Sequence, residues 1–368
     1  MPASKNCRLL YLVGGLSAGG LERQLCFLLQ GIDRELYRPE LVVWSFRTDD
    51  TFVPSVQKLR VPLHSFSNGM SANRKLMMFR RLVREMKPEV VHSYCFYTNF
   101  AAWWATIGTD TIPIGGLQSD FTSEKRLTGF LLGRLSARWP RTHISNNVTA
   151  AENARYCRGP FTPSKIFIVR NGIDLVQFGK VPPPTNGQVR LVGIGSLFQY
   201  KRWERLLRAA LVLRKRRLDF IVQIAGNGPL RESLERQTRE LGLADTVIFS
   251  GHIDDIPSLL ANSTFVVHTS DLEGCPNAVL EAMAAGRAVV ATDAGDVPSI
   301  VDDGQTGFVV RSGDDASLVE RLATLITNRE LCRQMGEAGR VKAEREFGLD
   351  RLVAETLAAY RAAGWRDS

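Results

Sequence analysis

Two carboxylates in the stretch Glu273 to Gly286, EGCPNAVLEAMAAG, have the types and spacing that suit chemistry on a phosphorylated ligand. Glu273 stands in a Gly-Cys-Pro-Asn turn. Glu281 falls about 1.5 turns into the helix predicted from Pro276 to Ala285, at roughly 3.6 residues per turn. Gly286 closes that helix. A glycine-containing loop feeding a helix N-terminus offers backbone N–H groups to a phosphate. A carboxylate further along can accept hydrogen bonds from both hydroxyls of a ribose, as acidic residues do in dinucleotide folds. Glu273 then lies nearer a sugar beyond the diphosphate.

Other predicted strand ends in the same half carry related chemistry. VRLVGIGSLFQYKRWERLL presents Lys201 and Arg202 just before a helix, and two adjacent cations in such a loop suit a diphosphate. In AGNGPLRE, Gly226 and Gly228 form a tight turn and Pro229 takes the first helical position. SGHIDDIPSLL sets His252 and Ile253 where they can lie along a base. Each has a plainer alternative: a solvated helix start for the cations, a strand-ending role for His252, and surface positions for the two glutamates.

The elements that must hold these residues alternate along the chain. Strand candidates in the first half are RLLYLVGG, ELVVWSF, EVVHSY, IPIGGL, THIS and KIFIVRNG, with helix candidates LERQLCFLLQG and NRKLMMFRRLVREMK between them. Pro182, Pro183 and Pro184 with Asn186-Gly187 then signal a linker. The pattern restarts as VRLVGIGSL, FIVQIAGNG, VIFSGH, FVVHTS, AVVATDAG and GFVV. Continuous apolar strands of this kind belong to parallel sheets covered on both faces. The expected fold is α/β: two doubly wound domains facing each other, with the site at strand C-terminal ends in the cleft. We place the domains at 1–180 and 181–348, with a last helix, about 349–368, free to pack on either lobe and assigned to the first.

The 368 residues suit about two cores. No stretch approaches the roughly 20 apolar residues that span a bilayer, and the opening MPASKNCRLLYLVGGL reads as a first strand rather than a signal peptide. Six scattered cysteines without a CxxC pair argue for a reducing, cytoplasmic location and against zinc. Charge is uneven: residues 1–185 hold 24 Lys and Arg against 13 Asp and Glu, while the rest holds 23 against 25. A basic half of this kind meets nucleic acid, a phosphorylated lipid or an acidic membrane surface.

Several activities lack their motifs. VGIGSLF has Gly193 and Gly195 but a phenylalanine where GxGxxG needs its third glycine. There is no GxxxxGK[ST], Asp-x-Asp metal pair or HExxH. A nicotinamide-dependent oxidoreductase is therefore disfavoured.

EGCPNAVLEAMAAGRAVVATDAGDVPSIVDDGQTGFVV closely resembles the E-x7-E segment of glycosyltransferase family 4, retaining enzymes with the GT-B fold. The likeness continues through GSLFQYKRWERLLRA, AGNGPLRESLERQTRELGLADTVIFSGHIDDIPSLL and IFIVRNGID, and reaches the N-terminal GGLSAGGLERQL. It is loose between about Ser45 and Arg141. The resemblance implies a metal-independent transfer of a hexose-type sugar from a nucleotide-diphosphate sugar, without a cofactor. Glu273 would hold donor-sugar hydroxyls, and Gly274, Cys275, Pro276 and Asn277 would surround sugar and phosphates. Lys201 would neutralise the leaving diphosphate, Ile253 would lie against the base, and Glu281 would bind the ribose. Gly19 and Gly20 would let the first loop approach the phosphates. The chain departs from the family pattern at three places. Ser196 stands where many members have Arg, so Arg202 would supply a second cation. Gln118 and Ser119 replace a frequent histidine, which affects the sugar and acceptor contacts. Cys275 replaces a bulkier residue. His92, ending EVVHSY, either faces the cleft as an acceptor contact or simply finishes its strand.

The acceptor, a saccharide or lipid-linked saccharide of cell-surface or exported polysaccharide synthesis, is expected in the first domain. There Arg74, Lys75, Arg80, Arg81, Arg84 and Lys87 decorate a helix whose apolar face is Leu76, Phe79, Leu82, Val83 and Met86. That helix either packs with a solvated basic back or docks peripherally on the cytoplasmic face of an anionic membrane. No motif for nucleic acid accompanies the charge. A GT-B epimerase or a non-catalytic sugar-nucleotide-binding protein is the alternative function.

Overall fold

The computed structural model describes residues 7–17, 19–157, 159–179, 184 and 187–366. The linker residues Pro182, Pro183 and Asn186 lie outside the described residues. The chain divides into two compact units, residues 1–172 with 349–368, and residues 173–348.

The first unit holds a parallel seven-stranded sheet: β1 (Cys7–Val13), β2 (Tyr37–Phe46), β3 (Leu63–Ser67), β4 (Val90–Ser93), β5 (Ile112–Leu117), β6 (Thr142–Ser145) and β7 (Lys165–Ile168). Their order is β3-β2-β1-β4-β5-β6-β7. Leu9 to Val13 are all buried, as a strand covered on both faces requires. The edge strand β3, LHSFS, is absent from the sequence expectations because only Phe66 is buried in it. His64 instead pairs with Glu40 of β2 at 2.7 Å.

The second unit repeats the plan with β8 (Val189–Ile194), β9 (Phe220–Ala225), β10 (Val247–Gly251), β11 (Phe265–His268), β12 (Ala288–Thr292) and β13 (Gly307–Val310). Their order, β10-β9-β8-β11-β12-β13, reverses direction between β8 and β11. In open parallel sheets that reversal leaves a crevice at the strand C-terminal ends. The helix after β11 runs from Asn277 to Ala284, with Pro276 at its N-cap. The helix expected to start at Pro229 begins at Arg231 instead, after a turn through Pro229 and Leu230.

The last helix, Leu349–Ala362, packs in the first unit beside the helix Gly20–Gly31. Arg351 donates to the carbonyls of Arg170 and Asn171 at 2.8 and 2.9 Å, and the Trp365 indole donates to Glu89 at 2.9 Å.

Backbones of the second unit approach closely below the crevice. Gly226 has φ of +147°, and a Cβ there would sit 1.9 Å from the Gly195 carbonyl oxygen. The Gly226 N–H also bonds the Gly251 carbonyl at 2.6 Å, so the ends of β8, β9 and β10 meet at this residue. Gly226→Ala should destabilise the protein by about 1–3 kcal/mol through backbone strain; a urea midpoint and slope unchanged from wild type would contradict this.

Candidate functional site

The loops following β8 and β11 bring one cation and one carboxylate together. Lys201 ends the 3-10 turn Gln199–Lys201 after β8, and its Nζ donates to Glu273 Oε1 at 2.5 Å. The same oxygen accepts from Ser270 Oγ at 2.5 Å, and His268 Nε2 lies 3.0 Å from it. His268 is the last residue of β11, so the strand itself aims the imidazole at the loop carboxylate. The loop is braced from behind. Thr292 of β12 donates to the carbonyl of Ser270 at 2.5 Å, and the Asp296 N–H donates to that of Gly274 at 3.0 Å. Burial alone would push the Glu273 carboxyl up; His268 and Lys201 outweigh it and hold the group at about 2.

Arg202, the second expected cation, is engaged elsewhere. Its backbone is left-handed, with φ of +55°, and its Nε lies 3.0 Å from Glu204 and 3.1 Å from Asp271. These contacts are ionic in distance without hydrogen-bond alignment. Buried Arg205 completes the network, donating to the Thr269 carbonyl at 3.0 Å and to Asp271 at 2.9 Å, with Asp315 at 3.2 Å. Arg205 thus fastens the loop after β11 to the helix Trp203–Lys215. The structure therefore joins Lys201 to Glu273, and ties Arg202 to acidic neighbours.

Downstream of Glu273, Pro276 stands at the N-cap of Asn277–Ala284 and makes no side-chain capping bond of its own. Cys275 is buried at this entry. Glu281 lies in the second turn, 1% exposed. Gly295, with φ of +57°, lets its own loop press on this segment: a Cβ there would lie 2.5 Å from the carbonyl oxygens of both Glu273 and Gly274. Ser196 holds the other wall, its carbonyl accepting from the Trp203 indole at 3.0 Å.

Ile253 lines a cavity of about 600 Å³ together with Arg190, Gln223, Asp255, Asn262 and Thr264, and that lining includes neither Lys201 nor Glu273. In the first unit, Gly19 is the N-cap of Gly20–Gly31. A Cβ on Gly19 would lie 2.2 Å from the Glu22 carboxylate, so the helix's own acid folds back over the end expected to receive phosphate. Gln118 ends the loop side of β5, half-buried. His92, expected either as an acceptor contact or as a plain strand end, is enclosed within the first unit. It is 3% exposed, its Nδ1 lies 2.7 Å from the Tyr360 hydroxyl, and its ring packs with Tyr11 and Tyr94. Burial lowers its pKa to about 3, keeping it neutral inside an aromatic cluster.

Sequence reasoning passed over His268, Ser270 and Arg205. His268 and Ser270 stood in the quoted FVVHTS, where a polar strand end was itself a signal. Arg205 carried none, because a helix arginine reads as solvated until its burial is known. Phe198 and Tyr200 were also missed; they stack with centroids 5.9 Å apart and planes 6° apart, both exposed, with Lys201 Nζ 5.6 Å from the Tyr200 ring centroid.

Residues 180–342 match the family described as "Glycosyl transferases group 1". That segment contains the Lys201–Glu273 pair. An uncharacterized glycosyltransferase of Haemophilus influenzae is 29% identical over 196 residues, 53% of this chain and 55% of that protein. N-acetyl-alpha-D-glucosaminyl L-malate synthase of Bacillus anthracis is 26% identical over 201 residues, 54% of this chain and 51% of the other. The chain spans about half the length of the curated relatives it matches. Among solved structures, Anabaena HepE in complex with UDP-glucose has a TM-score of 0.77 at 18% identity, covering 96% of this chain and 99% of that one. The fold is GT-B.

The depressed Glu273 pKa has a stability consequence. Its folded value, about 2, lies below the ordinary glutamate value of 4.5. Stability from the ionised, paired carboxylate is thus fully present above about 4.5 and is lost as pH falls toward about 2. Urea denaturation across this range should show a smaller acid loss in Glu273→Gln than in wild type; parallel curves would remove Glu273 as the group responsible.

Proposed function

We propose that the chain is a glycosyltransferase of the family 4 type, transferring a hexose-type sugar from a nucleotide-diphosphate sugar with retention of configuration and without a metal. The observation that carries this reading is the Lys201–Glu273 pair at the C-terminal ends of β8 and β11, beside the N-terminus of the helix Asn277–Ala284. Leaving a diphosphate requires positive potential already in place, and an ammonium plus a helix N-terminus supply it in fixed positions. Glu273, held ionised, can accept hydrogen bonds from sugar hydroxyls while Lys201 moves its attention to phosphate. Glu281, eight positions on, would take the ribose, which makes E-x7-E the span of one donor. The UDP-glucose held by HepE shows the ligand class for that structure and supports a nucleotide sugar as the donor here. A saccharide or lipid-linked saccharide of cell-surface polysaccharide synthesis is the acceptor we assign to the first unit. The site's make-up favours transfer over nicotinamide chemistry, whose glycine fingerprint the chain lacks.

Thermal melts with a panel of nucleotide sugars test the reading. One donor should raise Tm well above its free nucleotide, and transfer to a polysaccharide-derived acceptor should follow with that donor; no stabilisation by any nucleotide sugar would overturn it. Lys201→Ala should lower turnover by about 10²–10³-fold, the loss typical of one preorganised charge donor. Normal turnover in that variant would remove Lys201 from the mechanism. Glu281→Ala should weaken donor binding by about 1.5–3 kcal/mol through lost charge-assisted bonds. Calorimetry giving an unchanged Kd would sink the ribose assignment.

A further inference from the structure

The first unit carries an apolar tip that its own fold leaves uncovered. After β5, Asp120 caps the helix Phe121–Thr128 through its bond from the Ser123 N–H at 2.8 Å. Gly129, with φ of +93°, turns the chain into a second helix, Phe130–Arg138. The two helices form a tight hairpin: a Cβ on Gly133 would lie 2.1 Å from the Lys125 carbonyl oxygen. Its base is anchored in the core by Phe121 and Ala137, which pack with Phe96, Leu117, Ala150 and Ala154. At its tip, Leu127, Phe130 and Leu131 are 81%, 77% and 68% exposed, and Leu132 is exposed beside them. Three large apolar side chains so open and so close in sequence form a patch of the kind soluble surfaces avoid.

What surrounds the tip decides its partner. Between 121 and 141 the chain has five cations, Lys125, Arg126, Arg134, Arg138 and Arg141, and one acid, the half-buried Glu124. Arg134 lies 3.8 Å from the Phe130 ring centroid and 5.5 Å from that of Phe161, while Arg138 and Arg141 flank Trp139 at 5.3 and 5.2 Å. Apolar side chains ringed by cations and interleaved aromatics complement a surface that is anionic at the headgroups and apolar beneath them. The basic helix Ala72–Met86, in contrast, spends much of its charge on the fold. Lys75 is buried and donates to the Trp44 carbonyl at 2.7 Å, Arg80 donates to the carbonyls of Trp104 and Ile107, and Arg81 pairs with Glu85.

We propose that the hairpin tip at Leu127, Phe130 and Leu131, with its collar of Lys125, Arg126 and Arg134, docks the protein on an anionic lipid bilayer. The apolar residues enter the headgroup boundary and the cations meet lipid phosphates. Both terms are needed, since interfacial binding scales with buried apolar area plus attraction to anionic lipid. This inference is independent of the transferase reading, because vesicle binding is measured without turnover.

The test is sedimentation of the full chain with vesicles of phosphatidylcholine, with and without phosphatidylglycerol. Wild type should bind the anionic vesicles, more weakly as salt rises, and Phe130→Asp with Leu131→Asp should lower partitioning by about tenfold or more. Arg126→Gln should weaken binding to anionic vesicles alone. The Asp pair lies on the surface and should leave the melting curve in place. As a second measurement, a polarity-sensitive dye on Leu131→Cys, in a Cys157→Ser background, should shift to shorter wavelength with anionic vesicles. Absence of binding to anionic vesicles, binding indifferent to the Asp pair, or a dye that does not shift would each overturn the proposal. So would a dimer that the Asp pair dissociates in the absence of any vesicle binding, which would make the tip an interface between copies.

Discussion

Where the strand order reverses between β8 and β11, the two central strands send their following loops in opposite directions, yet Lys201 and Glu273 still meet at 2.5 Å. Almost everything else at this end of the second unit serves that contact. The Gly226 backbone presses against the loop holding Lys201, Gly295 presses against the loop holding Glu273, and Arg205 ties the Glu273 loop to the helix after Lys201. A carboxylate this buried stays ionised only because the sheet delivers compensating partners to it. His268 and Ser270 are as much a part of that arrangement as the ammonium.

The second unit's framework is legible in its sequence because its strands are near-continuous apolar runs. Burial on both faces imposes that pattern, so composition and position coincide. The edge strand β3 escapes for the converse reason: with one neighbour and an exposed flank, LHSFS needs no apolar run. The meeting of Lys201 with Glu273 is partly legible, since both were placed at strand ends, though their direct contact was not foreseen. Partnership between distant residues is the part that sequence conceals. Arg202 looked as available as Lys201, and only the positions of Glu204 and Asp271 distinguish them. His92 and His268 both stand near the C-terminal end of a strand, yet one is enclosed by three tyrosines and the other faces a carboxylate.

The uneven charge of the chain acquires a finer grain in the structure. A count of cations treats each as a free surface charge, but several are consumed in satisfying carbonyls at helix ends and loops. Lys75 and Arg80 belong to that group, and their removal would cost packing and hydrogen bonds along with charge. On the hairpin after β5, by contrast, Arg134, Arg138 and Arg141 stand beside aromatic rings.

The last helix has a bearing on how the chain comes to be folded. Its Tyr360 hydroxyl reaches His92 across 268 positions, and Gly172 is clasped by the Gln24 side chain through bonds of 2.7 and 2.9 Å. In sequence, the whole second unit is therefore inserted within the first. During synthesis, residues 173–348 emerge complete while the aromatic pocket around His92 still lacks its closing tyrosine. The N-terminal unit, first to leave the ribosome, is the last to be finished.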